Sequence, residues 1–78
     1  DSDTPESNLL ADEIRNEVTA VIRKLPPDLR QAIILREFEG LSYEEIAEVM
    51  NCPIGTVRSR IFRARESIDS VVKPLLSA

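Results

Sequence analysis

The sequence holds no histidine, no tryptophan, one cysteine, one tyrosine and two glycines in 78 residues. Each shortage removes a class of chemistry. Without histidine the most common general base and metal ligand is missing, and lone Cys52 neither closes an internal disulfide nor supplies a metal set. Glu37 and Glu39 form a carboxylate pair, but no histidine, nucleophile or glycine loop accompanies them. The chain is therefore expected to have no catalytic site, metal or cofactor. Long apolar runs are also missing. Ala32-Ile33-Ile34-Leu35 is the longest, far below the roughly 20 residues that span a bilayer. No signal-peptide pattern opens the chain, so a cytoplasmic protein with no membrane insertion of its own is expected.

What remains is 42% apolar residues, mostly Leu, Ile and Val, at a length near the lower limit for one unstapled core. The first residue is Asp1 rather than Met, which reads as a fragment of something longer, or a processed or tagged chain. The net charge of -4 averages two unlike halves. Residues 1–50 hold twelve acids against five bases, and residues 51–78 hold two against five. The overall acidity argues against nucleic acid and the local charge argues for it. The local field counts for more, because groove binding depends on one face.

Residues 1–8 are polar and acidic and read as a linker remnant, with residues 9–78 as the domain. Alternatively Thr4 caps a helix whose first residue is Pro5. Leu10, Ile14, Val18, Val21 and Leu25 recur at helical spacing. The prolines of "LPPD" at 25–28 break that helix. A second helix follows, carrying Leu29, Ala32, Ile33, Ile34, Leu35 and Phe38. It is expected to be the most buried and to end at Gly40. "SYEE" at 42–45 is a capping box, with Ser42 as N-cap and Glu45 reaching back. Tyr43, Ile46, Ala47 and Met50 line a short third helix. Asn51 suits a left-handed residue and Pro53 a helix starter. Ile54, Val57, Ile61, Ala64, Ile68, Val71 and Val72 mark a long fourth helix, which Pro74 is expected to stop. The fold class is all-α, a four-helix domain with a C-terminal helix-turn-helix at about residues 43–72.

The helix-turn-helix reading rests on Ala47, small where two helices cross, on Asn51, and on Val57 and Ile61 packing back. That spacing alone is weak. The helical wheel sharpens it. At about 100° per residue, Gly55, Thr56, Ser59, Phe62 and Arg63 fall opposite the apolar stripe. Arg58 and Arg65 flank one edge and Arg60 the other. A groove-inserted helix needs this arrangement, with small and hydrogen-bonding groups toward the bases and cations toward the phosphate walls. Gly55 and Ser59 allow close approach, Arg63 suits a guanine edge, and Phe62 suits a thymine methyl.

Plainer readings exist for the same residues. Arginines on a helix are often only solvated, or they answer Glu44, Glu45 and Glu48 across a helix pair. Phe62 could cover the end of the core. Cys52 reads as a small apolar turn residue, and Tyr43 as core or a phosphate contact. A Phe and a Ser bracketed by four arginines, opposite a continuous apolar stripe, are poorly explained by solubility alone.

Residues 25 to 68, "LPPDLRQAIILREFEGLSYEEIAEVMNCPIGTVRSRIFRARESI", resemble region 4 of a bacterial RNA polymerase sigma factor. The similarity is to the extracytoplasmic-function group, and most of all to its sigma-E, envelope-stress type. "GLSYEEIA" followed by "GTVRSRIFRAR" carries the specificity. The resemblance implies a sigma region 4 type fold, broadly winged-helix-like, whose recognition helix enters the major groove of the promoter −35 element. It implies base contacts by Thr56, Ser59, Phe62 and Arg63, and backbone contacts by Arg36, Tyr43, Arg58, Arg60 and Arg65. It further implies double-stranded promoter DNA, the β flap of the RNA polymerase core and an anti-sigma factor as partners, and transcription initiation at stress-type promoters. Members of this kind recognise −35 elements containing AAC, partly through duplex shape.

Two other functions compete. A LuxR-type effector domain shares the "GLS..EIA" and "TV" pattern, but usually carries Lys and His where this chain has Arg58-Ser59-Arg60. A helical module acting mainly through anti-sigma or flap binding is the alternative from another class.

Overall fold

Prolines and two left-handed residues cut the chain into four helices. In the computed structural model, which describes the backbone of residues 5–77 and side chains from Leu9 onward, α1 spans Pro5–Lys24, α2 Pro27–Glu37, α3 Tyr43–Met50 and α4 Ile54–Leu76. The described residues contain no strand. α1 begins at Pro5, so helix reaches back into the segment read as a linker. Thr4, the alternative cap, lies outside the described residues.

Each break has a local cause. Pro26 is extended and Pro27 starts α2, where the missing proline N–H costs no helical bond. Arg30, in the first turn of α2, donates to the carbonyls of Arg23 (3.0 Å) and Leu25 (3.4 Å). It thereby satisfies acceptors that the end of α1 leaves open. α2 ends at Glu37, and Gly40, at φ +74, lets the chain turn so that the Leu41 N–H returns to the Leu35 carbonyl at 3.0 Å. Ser42 then opens α3 with a complete capping box. Its hydroxyl accepts from the Glu45 N–H at 3.1 Å, and its own N–H donates to the Glu45 carboxylate at 2.8 Å.

The core is one cluster: Ile22 and Leu25 from the end of α1, Ala32 and Ile33 from α2, Ile46 from α3, and Val57, Ile61 and Ala64 from α4. Helix α4 packs against all three others and so forms the spine of the fold. The structure refines three of these readings. The α1 stripe is covered only toward its C-terminal end. Leu10 is exposed, Val18 and Val21 pack on the core, and Leu25 is buried, joined there by Ile22, one step beyond the pattern. In α2, Ala32 and Ile33 are buried, two of eleven residues and the largest share of any helix among the described residues, but Phe38 falls at the C-cap and is 68% exposed, so it does not belong to the buried face. Pro74 does not stop α4, which continues to Leu76. A proline keeps helical φ, and here its lost bond falls in an exposed last turn. Ser77 closes that turn with its N–H and hydroxyl, both 3.0 Å from the Lys73 carbonyl.

The capping box is the exposed feature most open to test. Ser42→Ala should cost about 1 kcal/mol, seen as a lower midpoint in thermal or denaturant unfolding with the slope of the transition unchanged.

Candidate nucleic-acid interface

The turn between α3 and α4 sets the crossing of the two helices. Asn51 is left-handed (φ 54, ψ 54), and its N–H points back to the carbonyls of Ala47 and Glu48. The Cys52 N–H also reaches the Ala47 carbonyl, at 3.0 Å. Asn tolerates this backbone better than any other residue except glycine. Ala47 packs against the core at the crossing. Pro53 stands one position before α4 as its N-cap, not inside it as the helix starter. Its carbonyl accepts from the N–H groups of Thr56 (3.0 Å) and Val57 (3.2 Å), which tightens the first turn.

Two faces of α4 follow from its buried stripe. Val57, Ile61 and Ala64 are almost wholly buried, and Ile68 packs on the same cluster. Gly55, Arg58, Ser59, Phe62 and Arg63 are exposed, while Thr56 is only partly so. Phe62 is 62% exposed and therefore does not close the core. Around Gly55 a Cβ would meet nothing within 4 Å, so the chain's own packing does not demand glycine there.

The arginines separate into three kinds. Arg36 and Arg58 lie over the Tyr43 ring, 4.9 and 5.9 Å from its centroid. Arg36 is also fixed by donating to the Leu41 carbonyl at 2.8 Å. This joins residues from α2, α3 and α4 in one cationic group. Arg65 adjoins it but donates to the Glu37 carboxylate at 2.6 Å. That hydrogen bond raises the Arg65 pKa above the ordinary arginine value, outweighing the desolvation that lowers it. Arg60 lies apart. Its side chain is 25% exposed, with Nε 3.6 Å from the Asp28 carboxylate. Its terminal nitrogen faces Cys52 Sγ (3.7 Å) and Met50 Sδ (4.0 Å). Arg63 makes no hydrogen bond or ion pair among the described residues. Among the described residues, the acids that answer the α4 arginines are therefore Glu37 and Asp28, and not Glu44, Glu45 or Glu48.

Of the nine residues singled out from the sequence, Ser59, Phe62 and Arg63 share the open face of α4, with Thr56 at its margin. Arg36, Tyr43, Arg58 and Arg65 come together at one edge. Arg60 does not join them. Asp28 and Glu37 were missed as partners because their arginines lie on another helix, far along the chain.

Residues 15–68 match the family model described as sigma-70, region 4. The chain belongs to the sigma-70 region 4 family. The match covers more than half of the chain and contains every residue of the α4 face and its cationic edge. Among its relatives, the RNA polymerase sigma-H factor of Pseudomonas aeruginosa is 63% identical over 76 residues, covering 97% of this chain and 39% of the relative. The ECF RNA polymerase sigma-E factor of Haemophilus influenzae is 59% identical over 76 residues, covering 97% and 40%. That of Escherichia coli K12 is 62% identical over 72 residues, covering 92% and 38%. This region 4 chain thus spans about two fifths of the length of the curated relatives it matches. These matches lend no support to the LuxR-type alternative.

Within this region 4 chain, Arg60 and Arg63 should separate in an unfolding experiment. Arg60→Ala removes a partly buried stem and a screened pair, and should cost about 0.5–1 kcal/mol. Arg63→Ala should stay within about 0.5 kcal/mol of the parent. Denaturant midpoints measured side by side check both.

Proposed function

We propose that this chain is the −35-recognition module of a bacterial sigma factor, with α4 seated in the major groove of promoter DNA. One observation carries the reading. Ser59, Phe62 and Arg63 stand exposed together, directly opposite a stripe that fixes the rotation of α4. Arg63 has no partner of its own among the described residues and suits the acceptor edge of a guanine. Phe62 presents an apolar surface that suits a thymine methyl. Gly55 fits the same role, since its missing side chain leaves room for a backbone or base to approach. Arg36, Tyr43 and Arg58 supply one phosphate-facing wall, with Arg65 beside them. Thr56 reaches the groove only from the margin. Arg60 contributes to the wall chiefly by holding the turn.

The protein partners that this reading entails are the β flap of the RNA polymerase core and an anti-sigma factor. The acid excess of residues 1–50 supplies the surface for them. A cytoplasmic site of action follows from the same reading. No helix among the described residues is long and apolar enough to cross a membrane.

Titrating a labelled −35 duplex against the chain at low salt should give binding that weakens steeply as salt rises, because bound cations release counterions. Absence of binding at low salt would leave only the protein-interaction role. Arg63→Ala should cost about 1–3 kcal/mol of binding and relax preference at one base position. Competition between duplexes differing only within the −35 element checks this, and an equal loss on every duplex would demote Arg63 to a phosphate contact.

A further inference from the structure

One acidic side chain stands within the cationic edge of the proposed DNA face. Glu37 is the last residue of α2, and its carboxylate is 2.6 Å from the Arg65 guanidinium of α4. Neither local nor global stability accounts for this placement. A negative charge at a helix C-terminus opposes the helix dipole, so α2 itself gains nothing from Glu37. The pair is about half exposed on both sides, and exposed pairs contribute little to folding. Position offers a better account. Arg65 follows Arg58 by two helical turns on the same edge of α4. Tyr43, which lies beneath Arg36 and Arg58, also helps, after Glu37, to raise the Arg65 pKa. Glu37 therefore occupies one of the cations on the wall that faces phosphate.

Resting on the reading of α4 as the groove helix, we propose that Glu37 is an intramolecular competitor of DNA phosphate for Arg65, lowering affinity for every duplex without altering sequence preference. A carboxylate and a phosphate are both bidentate acceptors for guanidinium. The bond to Glu37 must loosen, or be shared, before Arg65 can neutralise a phosphate. The competition carries no base information, because backbone contacts position the helix and do not read sequence. Arg36 and Arg58, held by a carbonyl and a ring and not by an acid, remain available throughout.

The test compares the 78-residue chain with Glu37→Gln, Glu37→Ala and Glu39→Gln on a −35 duplex and on a scrambled duplex, over a series of salt concentrations. Glu39 is exposed and has no ion pair among the described residues. Glu39→Gln therefore controls for the loss of one negative charge nearby. Both Glu37 variants should bind about two- to fivefold more tightly at low salt, by the same factor on both duplexes. Their log–log salt slope should steepen by up to about one. Glu39→Gln should give a clearly smaller gain. Thermal unfolding of the Glu37 variants should match the parent, confirming that they fold. A parent that binds while the Glu37 variants bind no better, or no better than Glu39→Gln, overturns the inference and leaves the DNA reading intact. A gain confined to the −35 duplex overturns it as well. A parent that binds neither duplex at low salt defeats the DNA reading and this inference with it.

Discussion

Everything presented by α4 depends on the burial of Val57, Ile61 and Ala64 in one cluster with Ile46, Ile33 and Ala32. Steps of four and three residues place those side chains on one line of the helix. Burying a Val or Ile is worth roughly 1.5–3 kcal/mol. Rotating α4 by even one residue would expose the stripe and bury charge in its place. The orientation of Ser59, Phe62 and Arg63 is thus fixed by side chains that never meet a partner. The outward face carries no energetic burden of its own. It is free to be shaped by what it touches, and that freedom accounts for an exposed Phe62 and an open Gly55.

The angle at which α4 leaves α3 is a second constraint, and backbone chemistry sets it more than side-chain packing does. Ser42 and Glu45 close the start of α3, and Asn51 in the left-handed region closes its end. Three residues then separate α3 from α4, too few to absorb a different crossing. Arg60 reinforces the same turn from the other side, its cation lodged among Asp28, Cys52 and Met50. An arginine read from the wheel as a shoulder of the DNA face is thus recruited to hold the face in place.

Local signals were legible in the sequence, and partnerships between helices were not. The capping box, the left-handed Asn51 and the proline break at 26–27 involve residues within a few positions of one another, so their chemistry can be read directly. Periodicity gave the buried face of α4 because that helix is covered by three others along most of its stripe. In α1 the same signal overreached. A pattern says which side of a helix is apolar, but not how far a neighbour extends to cover it, and so Leu10 is exposed while Ile22 is buried. Phe38 fails for a related reason, since the helix ends beside it and the chain turns away. Pro74 shows the limit of a breaker rule, because one lost hydrogen bond in an exposed last turn is too small a cost to end a helix that is otherwise continuous. The ion pairs of Arg60 and Arg65 join residues on different helices, and no spacing rule reaches them.

Those ion pairs change what the charge asymmetry means. By composition, the last part of the chain offers an anionic partner a block of cations. In the folded chain, Arg60 is set into the turn and Arg65 is held by Glu37, which leaves Arg58 and Arg63 on α4 and Arg36 from α2 as the readily available ones. With fewer unassigned cations, the non-specific attraction to phosphate is smaller than a count of arginines suggests. In the proposed reading, a larger share of the binding energy then falls to the groups facing the bases, Arg63 and Phe62 above all. On the same reading, that restraint of the backbone term weakens the hold on every duplex alike and leaves the ratio between sites unchanged, because backbone contacts carry no base information. The acidic character of the chain therefore fits its proposed role: it limits how strongly a basic helix holds any DNA, and leaves the choice of sequence to the face that carries Ser59, Phe62 and Arg63.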